Sequence, residues 1–106
     1  MTNSKTQSIK RSIKRKIPGG KLVNLEITFS DRIESVKLMG DFFLHPEETL
    51  EDLVNAIHNT PLPLDSSNLT ARLDQIMTNH GAELIGVSTA DITSIVEEAV
   101  SCKPSV

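Results

Sequence analysis

The stretch Lys21-Leu22-Val23-Asn24-Leu25-Glu26-Ile27-Thr28-Phe29-Ser30-Asp31-Arg32-Ile33-Glu34-Ser35-Val36-Lys37-Leu38-Met39 decides the fold. Val23, Leu25, Ile27 and Phe29 alternate with Asn24, Glu26, Thr28 and Ser30. Successive strand side chains point to opposite faces, so this period of two marks a strand with one buried face and one wet face. Ser30-Asp31-Arg32 is short and polar, as a hairpin turn requires. A second strand then runs from about Ile33 to Met39, with Val36 and Leu38 toward the core. Ile33 is out of step with them, so a bulge or the end of the turn lies between.

Beyond this hairpin, Gly40-Asp41 interrupts the pattern. Phe42-Phe43-Leu44 reads as a short third strand or an extended segment crossing the sheet. His45-Pro46 is expected to open a helix, because proline at the first helical position gives up no hydrogen bond. Glu47 and Glu48 would then occupy its first turn, where acids suit the positive end of the helix dipole. Leu50, Leu53, Val54 and Ile57 form one apolar stripe at helical spacing. Pro61-Leu62-Pro63-Leu64 is a stiff connector. Ser66 or Ser67 caps a second helix with Leu69, Leu73, Ile76 and Met77 inward, and Gly81 suits its left-handed end. Glu83 to Val87 reads as a short apolar link. Ser88 and Asp91 match a capping box, with Val87 and Ile92 at the staple positions around it. Ile92, Ile95, Val96 and Ala99 form the stripe of a third helix. Strands first and helices after predict an α+β domain. Its small antiparallel three-stranded sheet is covered on one face by about three helices, and its edges are open to pairing.

Charge divides the chain unevenly. Residues 1–21 hold Lys5, Lys10, Arg11, Lys14, Arg15, Lys16 and Lys21 and no acid, whereas the remainder holds four bases and 14 acids. Residues 1–13, rich in Ser, Thr and Lys, are expected to form a flexible basic arm. Residues 14–102 then make the single domain and residues 103–106 a frayed tail. Such an arm suits nucleic acid, an acidic partner, a nucleotide, or plain solvation. The one cysteine, Cys102, excludes an internal disulfide and a multi-cysteine metal site. No apolar run approaches the ~18 residues that span a bilayer. The basic N-terminus lacks the apolar stretch of a secretory signal. A cytoplasmic location is expected, where the sequon Asn68-Leu69-Thr70 would meet no glycosylation machinery.

Several of these pieces occur together in a recognisable order. They are Lys16-Ile17-Pro18-Gly19-Gly20-Lys21-Leu22-Val23, the hairpin, Met39-Gly40-Asp41-Phe42-Phe43-Leu44-His45-Pro46-Glu47-Glu48, and the helix with Leu50-Glu51-Asp52-Leu53. The order resembles the C-terminal domain of lipoate–protein ligases, and Gly86-Val87-Ser88 with its helix resembles that domain's end. The Gly40–Glu48 block is the most specific part. In that family a large domain binds lipoate and ATP, makes lipoyl-adenylate, and passes lipoate to a lysine of an acceptor protein. The small domain is fused in some members and a separate subunit in others. The resemblance therefore implies a non-catalytic accessory subunit, with no catalytic residue and no metal ligand of its own. It implies a catalytic ligase subunit as direct partner and a lipoyl acceptor protein as indirect partner. Lipoate, ATP and Mg²⁺ are expected on the catalytic partner and no cofactor on this chain alone.

The residues expected to touch the partner or its nucleotide are Lys16, Gly19, Gly20, Lys21, Gly40, Asp41, Phe42 and Phe43. Gly19-Gly20 permits close backbone approach with Lys21 reaching a phosphate or an acidic residue, or it simply starts a strand. The spacing of a P-loop is absent. Adjacent Phe42 and Phe43 point to opposite faces of a strand. Either one fills the core while the other faces a partner, or both lie under a helix. Asp41 suits a local cap better than acid–base chemistry.

His45, His58 and His80 fall on different elements without metal-ligand spacing. Cys102 beside Lys103 has no fixed pocket, which argues against sulfur transfer. The alternative function is a basic-tailed module binding nucleic acid or protein. Nucleic acid is not the expected partner, because the strand faces lack stacking aromatics and the body is acidic. A membrane is not an expected partner either.

Overall fold

The computed structural model describes residues 8–100. The hairpin forms as expected. Strand β2 (Leu22–Phe29) pairs antiparallel with β3 (Ile33–Gly40), and the register shifts between Thr28 and Phe29 beside the turn. Val23, Leu25, Ile27 and Phe29 are all buried, while Glu26 on the other face is exposed.

The third strand of this sheet is not the Phe42–Leu44 segment but β1 (Ile9–Lys16), which pairs antiparallel with β2 over its whole length. Residues 9–13, read from sequence as flexible arm, are therefore the first part of a strand; residues 1–7 and the tail with Cys102 lie outside the described residues. The physical reason lies in the inward positions of β1. They read Ile9, Arg11, Ile13, Arg15, followed by Ile17, so two arginines interrupt the apolar alternation. Arginine has a long aliphatic stem that lies along apolar surface while its head stays wet. Arg11 and Arg15 are half-buried, and the Arg15 guanidinium pairs with Glu98.

The Phe42–Leu44 segment instead contributes to β4 (Phe43–His45), which pairs with β5 (Glu83–Ile85) in a separate two-stranded sheet. The Glu83–Val87 link is thus partly a strand. Pairing of His45 with Glu83 keeps the chain extended through His45, and the helix begins three residues after Pro46 rather than at it. Residues 46–48 make a turn, with the Thr49 N–H donating to the Pro46 carbonyl at 3.0 Å and the Leu50 N–H to Glu47 at 3.0 Å. Helix α1 (Thr49–Ile57) follows, and the acids of its first turn are Glu51 and Asp52 rather than Glu47 and Glu48.

Helix α2 (Ser66–His80) is capped by Asp65, whose carboxylate accepts the Asn68 N–H at 3.1 Å. Three adjacent short side chains could serve as cap, and periodicity alone does not choose among them. Gly81 closes the helix in the left-handed conformation, as expected. Helix α3 (Thr89–Val100) carries the reciprocal capping box: the Ser88 N–H donates to Asp91 at 3.0 Å and the Asp91 N–H to the Ser88 hydroxyl at 3.1 Å.

The helices pack on one face of the sheet, α3 against β1 and β2 and α1 against β3. Leu25, Ile27, Leu53, Ile57, Leu73 and Val96 are among the side chains that fill the layer between. The fold is the α+β arrangement that the alternation and stripes predict. No helix among the described residues is long and apolar enough to cross a membrane.

Candidate functional site

Three loops meet at one end of the sheet, and they contain the residues singled out by sequence. The first is the β1–β2 turn. Here the Gly20 N–H donates to the Ile17 carbonyl at 2.8 Å, and the Ile17 N–H donates to Lys21 at 3.0 Å. The second is the loop after β5, tied to the first by the Lys21 N–H donating to the Gly86 carbonyl at 3.1 Å. The contact tolerates no side chain on either glycine. A Cβ on Gly20 would lie 2.4 Å from the Gly86 oxygen, and one on Gly86 would lie 2.3 Å from Lys21 Cγ. The stem of Lys21 therefore lies across Gly86, leaving the residue exposed at the rim.

The third loop joins β3 to β4. Gly40 crosses so close to β2 that a Cβ there would sit 2.3 Å from the Leu22 carbonyl. That carbonyl accepts the Asp41 N–H at 3.0 Å, so Asp41 acts through its backbone here. The chain then delivers two phenylalanines to opposite sides. Phe42 is half-buried and packs against the core, whereas Phe43 is 54% exposed.

Phe43 does not stand alone. It is the cross-strand partner of Ile85, which is 49% exposed, and its ring stacks on His45 with centroids 6.3 Å apart and planes 4° from parallel. An exposed aromatic beside an exposed aliphatic on paired strands forms a continuous apolar patch. Beside it lies a groove of about 460 Å³ lined by Leu38, Met39, Phe42, Phe43, Glu47 and Leu50, among others. Leu50 and Val54, read from sequence as core stripe, are only half-buried because this groove and a hollow continuing along β3 leave them partly uncovered.

Of the residues picked by sequence, Gly19, Gly20, Lys21, Gly40, Asp41, Phe42 and Phe43 gather at this end. Lys16 stands one step away, opposite Leu22 on the outer face of the sheet. Sequence reading missed Ile85 and Gly86. Their signal was present in Glu83-Leu84-Ile85, a strand of three residues, but so short an alternation is indistinguishable from a link.

Among the described residues no group of three or more His, Cys, Asp or Glu side chains is placed to hold a metal ion. At the opposite end of the sheet, Ser30 and then Ser8 donate to the Glu34 carboxylate and lower its pKa.

No family model and no curated protein sequence matches the chain. Among solved structures the fold is similar to that of a chain from Thermoplasma acidophilum. It comes from an archaeal lipoylation system comprising a bi-partite lipoate protein ligase and its E2 lipoyl domain. The TM-score is 0.60 at 19% identity, over 85% of this chain and 94% of that one. At this identity the likeness is one of fold.

Proposed function

We propose that this chain is a non-catalytic accessory subunit of a two-part lipoate–protein ligase. It binds a separate catalytic subunit through the Phe43–Ile85 patch and is needed for ATP-dependent formation of lipoyl-adenylate. The lipoyl group then passes to a lysine of an acceptor protein. Lipoate, ATP and Mg²⁺ are held by the catalytic subunit.

The observation that carries the reading is the exposed Phe43–Ile85 pair at the end where the three glycine loops meet. Aromatic anchors surrounded by a groove are the usual centre of a protein interface. Adenylation requires that phosphate charge be neutralised and water kept from a reactive mixed anhydride. A small domain closing over the catalytic subunit can do both without supplying a nucleophile. Lys21, fixed over Gly86 at the rim, is the cation best placed to face a phosphate or an acidic residue across the interface.

Reconstitution tests the role. The catalytic subunit should form lipoyl-adenylate slowly alone and rapidly once this chain is added; equal rates would sink the proposal. Phe43→Ala should weaken subunit association by about 2 kcal/mol, measured by calorimetry, with little change in melting. Phe42→Ala should instead lower fold stability by about 3 kcal/mol, because its ring packs on the core. If both substitutions lower only stability, the patch is not the interface.

A further inference from the structure

The folding of β1 converts a basic stretch of sequence into an ordered surface, and the ligase reading does not use it. Strand alternation sorts the two kinds of cation. Arg11 and Arg15 turn inward and are half-buried, while Lys10, Lys14 and Lys16 turn outward and are exposed. Alternate residues of a strand lie about 6.7 Å apart, so Lys14 and Lys16 are neighbours and Lys10 stands two steps further along.

Register adds a fourth lysine. Ser12 pairs with Glu26, and Glu26 with Lys37, which places Lys37 on this same face of β3. Among the described residues the helices pack on the other face, and no carboxylate lies within ion-pair distance of Lys10, Lys14, Lys16 or Lys37. The acids near this face are Glu26 at its centre and Glu34 at its far end, the latter held by Ser8 and Ser30.

We infer that the outer face of the β1–β3 sheet docks an acidic protein surface, and that under the ligase reading this surface belongs to the acceptor domain. Three observations choose that occupant. The face carries no aromatic residue, so it offers single-stranded nucleic acid nothing to stack on. Its cations are all lysines, compact point charges, whereas the planar arginine forks that grip phosphate from two sides are turned away. Its end at Lys16 and Leu22 adjoins the three-loop end where the catalytic subunit is proposed to sit. A domain held on the lysines is thus within reach of that subunit.

The identity of the partner rests on the ligase reading, so the experiment separates the two half-reactions. The Lys10→Glu/Lys14→Glu/Lys37→Glu variant is combined with the catalytic subunit. Lipoyl-adenylate formation is measured without acceptor, and lipoylation is then measured over a range of acceptor concentrations and salt. Adenylate formation should be unchanged, while KM for the acceptor should rise at least tenfold at low salt. Wild-type KM should climb with salt and the variant's should not, since exposed charges are screened over about 10 Å at 0.1 M.

An unchanged KM in the variant would overturn the inference and leave the ligase reading standing. Adenylate formation that never depends on this chain would overturn that reading first. A 20-nucleotide oligouridylate or a duplex of that length, bound by the wild-type chain more tightly than the acceptor and lost in the variant, would give the face to nucleic acid and end the proposal. Circular dichroism of the variant checks its fold, and Lys14→Glu alone, with a smaller rise in KM, replaces it if the fold is lost.

Discussion

The two faces of this small domain differ as sharply in charge as in structure. The outer face of the sheet carries lysines on an ordered strand, while the helical side presents Glu47, Glu48, Glu51, Asp74, Glu97 and Glu98 to solvent. The formal net charge of −3 describes neither face. A net charge is a sum over the whole molecule, whereas a docking partner meets only the local potential. The apolar layer between the faces is what keeps them apart. In particular, β1 is basic on one side and contributes Ile13 to the core on the other.

This contrast breaks if β1 is not truly part of the packed domain. Ile13→Ala gives the largest expected effect. Ile13 is only 8% exposed within the core cluster, and truncating a buried isoleucine costs about 2–3 kcal/mol at such an edge position. Lys14→Ala, one residue on and facing out, should change stability by less than about 0.5 kcal/mol. Urea titration of both variants measures the difference. Equal small effects would return the strand to the status of an arm.

How much was legible depended on how many residues carried each signal. The β2–β3 hairpin rests on the alternation through β2 and on Val36 and Leu38 in β3, and the misplaced phase of Ile33 marked the irregularity beside the turn. The capping box of α3 was readable because Ser88 and Asp91 satisfy each other locally. β1 was hidden because two of its inward positions are arginine, which reads as solvated although the aliphatic stem can lie along the core. β4 and β5 were hidden because each has three residues and exists only through the other. The same difficulty divides the site. Gly40, Phe42 and Phe43 lie in one distinctive block, whereas Ile85 and Gly86 join them only through strand pairing and the Lys21–Gly86 contact.

A smaller effect sharpens how β1 is held. Arg15 bridges to Glu98 of α3, and the two side chains are 37% and 49% exposed. Ion pairs that wet contribute little, because water and salt screen them and two long side chains must be ordered. Arg15→Met keeps the aliphatic stem and removes the charge. It should cost about 0.5 kcal/mol or less, whereas Arg15→Ala should cost roughly twice that by losing stem packing as well. Equal costs would mean that the charge, not the stem, anchors the strand.

The smallest effect sits at the far end of the basic face. Ser30 donates to Glu34 at 2.5 Å and Ser8 at 2.6 Å, and these bonds favour the ionised carboxylate and lower its pKa. A group whose folded pKa is depressed stabilises the fold above its unfolded value, and the contribution disappears as pH falls through the folded value. Glu34→Gln should therefore lie slightly below wild type in melting temperature at neutral pH, and the gap should close on acidification below the usual glutamate range. A gap that persists unchanged in acid would mean that the serines bind the amide as well as the carboxylate. Shape rather than charge would then close the strand ends beside the lysines.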